Sequence, residues 1–121
     1  MRLGAHVSVA GGLHNAIPAA LEGKDVLGIA QTGTGKTAAF GLPSIHLTNL
    51  DEPGTQTLIL CPTRELCMQV ANDLRAYSKY IDKLGIVSIY GGASIEKQIK
   101  SIKKRSHIVV GTPGRTKDLL T

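Results

Sequence analysis

The chain has 121 residues, enough for one domain that buries roughly two thirds of its unfolded surface, and its 42% apolar and 3% aromatic content calls for an Ile, Leu, Val and Ala core. A formal charge of +5 and a pI near 9.4 either permit contact with phosphates or reflect an ordinary solvated helix face, because several lysines share one segment. Cys61 and Cys67 suggest neither a metal cluster nor a disulfide framework, the N-terminus lacks a signal pattern, and no apolar run reaches the roughly 18 residues of a membrane span, so a cytoplasmic protein without a membrane partner is expected.

In chain order, Leu3 to Val9 reads as a strand, followed by Gly11-Gly12 and a helix-like segment from Leu13 to Leu21 that contains Pro18 and is closed by Gly23. Asp25 to Ala30 reads as a buried strand, Lys36 to about Ile45 as a helix, and Asp51-Glu52-Pro53-Gly54 as a loop before the strand Thr57 to Cys61. From Arg64 the positions Leu66, Val70, Leu74 and Tyr77 fall at helical spacing, with Arg75 and Lys79 free to face water. Ile86 to Tyr90 is a strand ended by Gly91-Gly92. Ser94 suits an N-cap and Glu96 the first turn of a helix whose Ile95, Ile99 and Ile102 make one face against Lys97, Lys100, Lys103 and Lys104. His107 to Val110 is the last strand, and Thr112-Pro113-Gly114-Arg115 opens a final helix. Strands alternating with helices argue for an α/β fold with a mostly parallel sheet.

The stretch "AQTGTGKTAAF", Ala30 to Phe40, has the chemistry of a phosphate-binding loop. Glycines Gly33 and Gly35 let backbone N–H groups of Gln31, Thr32 and Thr34 wrap an anion, and the helix that follows adds its positive end. Lys36 reaches terminal phosphates and Thr37 can hold Mg²⁺. The strict pattern begins with Gly where this chain has Ala30. The placement, strand before and helix after, is that of a P-loop rather than an incidental Gly-rich turn.

From about residue 16 to residue 121 the chain resembles the first RecA-like domain of a DEAD-box RNA helicase, through "IPAALEGKDVLGIAQTGTGKT", "PTREL" (Pro62 to Leu66), "YGG" (Tyr90 to Gly92) and "TPGR" (Thr112 to Arg115). The resemblance implies that the first element holds ATP and that Pro62, Thr63, Arg64, Gly91, Gly92, Thr112, Gly114 and Arg115 line an RNA-backbone channel. Planar arginine donors and close backbone approach at glycine suit phosphates. Capping and tight turns are what the same residues offer without the resemblance.

Three departures qualify what the resemblance implies. The family's Asp-Glu-Ala-Asp strand, which completes Mg²⁺ coordination and positions water, does not follow TPGR within these residues, nor do the Ser-Ala-Thr strand and the second RecA-like domain with its arginine finger. The family's adenine-reading Gln, counted back from Pro18, falls on Leu13, which cannot make a two-point amide contact. In its place "LGAHVSVAGGLHNAI", Leu3 to Ile17, resembles the first strand and helix of endonuclease IV, a zinc-dependent abasic-site nuclease; His6 and His14 do not make a metal site between them, and no zinc is expected.

The expectation is therefore a recombined or engineered chimera, 1–15 endonuclease IV-like and 16–121 helicase-like, folded as one domain; the alternative is a helicase fragment with an arbitrary N-terminal extension. The expected fold is a three-layer α/β sandwich, P-loop and flavodoxin-like. Its five parallel strands take the order 2-1-3-5-4, with Leu3 to Val9 between Asp25 to Ala30 and Thr57 to Cys61. The expected ligands are ATP or ADP with Mg²⁺, or else phosphate or sulfate, with RNA binding weak and salt-dependent and no efficient catalysis. A residual ATPase and a purely structural domain with an empty site are the competing readings.

Overall fold

The computed structural model describes residues 7–8, 26–27 and 36–120. The chain divides into two compact units, Arg2–Thr48 and Asn49–Thr121.

In the first unit, β1 (Val7–Ser8) runs parallel to β2 (Val26–Leu27), with Val7 opposite Val26 and Ser8 opposite Leu27. The expected helix Leu13 to Leu21 and the glycines around it lie outside the described residues. Helix α1 (Lys36–Leu47) is slightly longer than its sequence suggests and carries Pro43 in its interior, with Ala39 buried. Pro43 has no N–H for the carbonyl one turn back. The helix nevertheless continues to Leu47, and the Ser44 and Thr48 hydroxyls donate to the carbonyls of Phe40 and Ser44, each at 2.7 Å.

The second unit contains β3 (Thr57–Leu60), α2 (Arg64–Tyr77), β4 (Ile86–Ile89), α3 (Ile95–Lys104), β5 (Ile108–Gly111) and α4 (Pro113–Leu120). Its strands form a parallel sheet in the order β3-β5-β4. The β1-β2 pair is a separate two-stranded parallel sheet. All four residues of β5 are buried, which is why a short aliphatic run, Ile108-Val109-Val110, makes a central parallel strand. Val109 of β5 and Val87 and Ile89 of β4 share one face, packed by Ile102 of α3 and Leu119 of α4. Ile108 and Val110 point to the other face by strand alternation.

Helix α2 packs on β4 and β5 and starts at Thr63, whose side-chain oxygen accepts from the Leu66 N–H at 3.2 Å. Ser94 caps α3 in the same way through the Lys97 N–H, at 3.4 Å. Each cap satisfies one of the orphan N–H groups of a first turn and is worth about 1 kcal/mol.

Three side-chain expectations need correction. On α2 the buried face is Cys67, Val70, Ala71 and Leu74, while Tyr77 is 42% exposed, because the stripe drifts around the cylinder by its last turn. Arg75 is exposed but not given over to water: its guanidinium donates to the Asn72 side chain and to the Ile86 carbonyl, tying helix to strand. On α3, Ile95 is 40% exposed, and the buried residue of that face is Gln98, whose amide finds polar partners.

Candidate phosphate-binding surface

Gln31, Thr32, Gly33, Thr34 and Gly35 lie outside the described residues. Lys36 is the first residue of α1 and Thr37, half-buried, stands in its first turn. Peptide dipoles and unbonded N–H groups make that end of the helix positive.

Within the second unit, the remaining predicted residues all follow the carboxyl ends of strands: Pro62, Thr63 and Arg64 after β3, Gly91 and Gly92 after β4, Thr112, Gly114 and Arg115 after β5. In parallel sheets this is the edge at which ligands bind, since successive loops converge there.

The structure brings several of them together. The Arg64 guanidinium lies over the Tyr90 ring at 5.1 Å from its centroid, a cation–π contact that holds an exposed arginine beside the glycine pair. Gly92 has φ of +81°, so this turn needs glycine for its conformation, and the Arg64 guanidinium lies 3.4 Å from where a Cβ would stand, at ordinary contact distance. At Gly91 and Gly114 a Cβ would meet nothing within 4 Å, which leaves open approaches to the backbone.

Arg115 is half-buried, with its Nη1 donating to the Ala93 carbonyl and to Gln98 Oε1, both at 3.1 Å. Gln98 Nε2 in turn donates to the Tyr90 carbonyl at 3.0 Å. A guanidinium carries five N–H donors, so these contacts orient Arg115 without exhausting it.

Other predicted residues serve the scaffold. The Thr63 side chain is committed to its cap, and Thr112 bonds backbone to backbone, donating to Ile89 and accepting from Thr116, at 3.0 Å each. Pro62 is exposed. Gln98 is the participant that the lysine-rich segment concealed; its signal was a polar residue three after Ile95 and four before Ile102, on the apolar side of its helix.

Beneath this edge, Cys61 and Cys67 are free and buried. Burial, reinforced by the neighbouring Cys67, pushes the Cys61 thiol up to about 12. Burial also raises Cys67, against the lowering effect of hydrogen bonds with Cys61. Both are neutral thiols at physiological pH, poor nucleophiles and poor metal ligands. Among the described residues no three His, Cys, Asp or Glu side chains gather as a metal cluster, and no helix is long and apolar enough to cross a membrane.

The family model for DEAD/DEAH box helicases matches residues 14–121. The chain belongs to that family. This helicase-family chain is 55% identical over 104 residues to the DEAD-box ATP-dependent RNA helicase CshA of Streptococcus pneumoniae serotype 4, a match covering 86% of the chain and 20% of that protein. It is 54% identical over 102 residues to the ATP-dependent RNA helicase CshA of Listeria monocytogenes, covering 84% of the chain and 19% of the relative. The chain thus spans about a fifth of the length of the curated relatives it matches.

Among solved structures it is similar to a DEAD box protein from Methanococcus jannaschii, with TM-score 0.76 and 45% identity over 86% of this chain and 28% of the other. It is also similar to a hypothetical ATP-dependent RNA helicase from Sulfolobus tokodaii, with TM-score 0.73 and 40% identity over 89% of this chain and 30% of the other. The fold of this DEAD/DEAH box family member is therefore the RecA-like helicase α/β fold.

Proposed function

We propose that the chain binds the phosphates of ATP or ADP at Gln31 to Thr37 and, weakly, the backbone of RNA at Pro62 to Arg64, Gly91-Gly92, Thr112, Gly114 and Arg115. We propose also that these 121 residues alone do not turn nucleotide over. The observation that carries the RNA half is the grouping of Arg64, Tyr90, Gly92 and Arg115 at the carboxyl edge of a parallel sheet. Donors on exposed or half-buried guanidinium groups, next to glycines that admit a close approach, suit phosphate oxygens and carry no means of reading bases.

The nucleotide half rests on the loop sequence and on α1 beginning at Lys36. Thr37 has a hard oxygen of the kind Mg²⁺ takes and would hold an ion accompanying the nucleotide, which would supply charge neutralisation. Without the nucleotide, phosphate or sulfate is the expected anion. Catalysis is not expected of the chain alone, since its sequence contains no Asp-Glu-Ala-Asp segment to position water.

The proposal extends to the N-terminal residues. Residues 1–15 are taken as endonuclease IV-like in origin, joined to the helicase-like residues 16–121. The β1-β2 pair continues into β3 as one sheet of order 2-1-3-5-4 in one cooperative domain. Nuclear Overhauser contacts between residues 3–9 and 57–61, with a single thermal transition, are the expected result; antiparallel or absent contacts reject the order.

Isothermal titration with ATP, ADP and GTP, run beside a phosphate-release assay, tests the function. Binding without strong preference for adenine, lost in Lys36→Ala, is expected, with release at background. Equal ATP affinity in that variant and the parent would sink the loop assignment, and robust RNA-stimulated release would replace the binding reading with an ATPase.

A further inference from the structure

The Gly91-Gly92 turn has the least intrinsic order of any part of the proposed RNA surface, because glycine loses more backbone freedom on folding than any other residue. Affinity at such a turn depends on whether its ordering is completed before the ligand arrives. Its two flanks are both tied down. On one side the Tyr90 carbonyl accepts from Gln98 Nε2 at 3.0 Å. On the other, the Ala93 carbonyl accepts from Arg115 Nη1 at 3.1 Å. The two ties are joined to each other, since the same Nη1 donates to Gln98 Oε1, also at 3.1 Å.

The circuit runs from the end of β4, through one carboxamide on α3, to an arginine at the start of α4, and back to the loop. It uses the donor and the acceptor of Gln98 together with the two hydrogens of Nη1. The network also fixes which way the amide points: with the oxygen and nitrogen exchanged, the amide would set NH₂ against guanidinium and oxygen against the Tyr90 carbonyl. A carboxylate cannot donate, an ammonium cannot accept, and an aliphatic chain does neither. Gln98 is only 6% exposed, on a helix whose lysines face water, so ordinary solubility does not account for a carboxamide there.

We infer that Gln98 is a positioning residue, which holds the Gly91-Gly92 turn in its ligand-ready conformation and aims Arg115, without itself touching the ligand. The inference rests on the RNA-backbone reading of this surface for its consequence, but the ordering of the turn can be read without RNA.

The test uses the full chain as parent, Gln98→Met, Gln98→Glu and Arg64→Ala. Amide hydrogen exchange across residues 91–93 is measured in the free proteins. Affinity for a single-stranded RNA oligonucleotide is measured by fluorescence anisotropy over a range of salt. In Gln98→Met, which keeps the length and loses both bonds, exchange at 91–93 should quicken about tenfold while β5 keeps its protection, and RNA should bind about tenfold more weakly. The slope of log affinity against log salt should not change, because no phosphate-contacting charge has been removed, whereas Arg64→Ala should flatten it by about 0.7. Gln98→Glu keeps the acceptor for Arg115 and should fall between parent and Gln98→Met; should the methionine variant unfold, the glutamate variant gives the reading.

Unchanged exchange at 91–93 overturns the inference, as does a salt slope in Gln98→Met that flattens as much as in Arg64→Ala, since that would make Gln98 a direct contact. A parent that binds no RNA overturns the surface reading instead, and the exchange arm then still decides what Gln98 does to the turn.

Discussion

Replacing Gly85 by alanine should cost the second unit about 2–4 kcal/mol, for a reason unrelated to glycine's freedom of rotation. A Cβ at this position would lie 2.5 Å from the Arg105 carbonyl oxygen, 2.6 Å from its carbonyl carbon and 2.5 Å from its Cγ. Side-chain rotation can relieve the last contact but not the first two. Those distances are about 1 Å short of ordinary contact, so the start of β4 must move away from the segment that follows α3. Both backbone groups of Gly85 are committed there: its N–H donates to His107 Nδ1 at 2.9 Å and its carbonyl accepts from the Ile108 N–H at 3.0 Å. A shift of that size takes either bond past hydrogen-bonding range. Overpacking of about 1–3 kcal/mol and about 1 kcal/mol for a lost bond give the total. Urea unfolding followed by circular dichroism would report it as a lower midpoint with an unchanged slope. A midpoint displaced by less than about 0.5 kcal/mol would show that the backbone yields freely at this point, and the argument from contact would be wrong.

Other outcomes follow from single residues. Thr116 is buried and its hydroxyl has no hydrogen-bond partner, so Thr116→Val, of the same shape and similar helix propensity, should raise stability by about 1 kcal/mol in the same assay. Gly91→Ala has open space around the new methyl and an ordinary backbone φ, so melting should stay within about 0.5 kcal/mol of the parent while RNA binding weakens; an unchanged affinity would remove that turn from the surface. Cys61 has its folded pKa near 12 against an ordinary 9.0, so the unfolded chain releases this proton first as pH rises. Its contribution to stability should be constant below about pH 9 and decline between about 9 and 12, and thiol reagents at pH 8 should label both cysteines only on unfolding.

The elements of the second unit were legible because local signals agree there. Ile108-Val109-Val110 can only be a buried strand, Thr63 and Ser94 are ready caps, and Gly91-Gly92 ends a strand. Side-chain roles were less so. Tyr77 falls three residues after Leu74, but the buried stripe of α2 passes to Ser78 instead, and small residues such as Ala71 help to fill it. Arg115 was visible as a cation, yet its ties to Ala93 and Gln98 span 22 and 17 residues of sequence. No periodicity reports a bond between separate elements. Gln98 was hidden by its lysine neighbours, since a hydropathy pattern scores a satisfied buried amide as one more surface residue.

The order β3-β5-β4 also sets a schedule for folding. The strand in the middle of this sheet is the last of the three to leave a ribosome, and β3 and β4 bond to it rather than to each other. Until Ile108–Gly111 has emerged, those two strands have hydrophobic residues but no hydrogen-bonded neighbour in this sheet. At roughly 5–20 residues per second, the roughly 50 residues from Thr57 to Ile108 take several seconds to synthesise. Over that interval helices α2 and α3 can form locally, but the sheet cannot, so chaperone occupancy on a stalled nascent chain should fall steeply as the stall point moves β5 out of the exit tunnel.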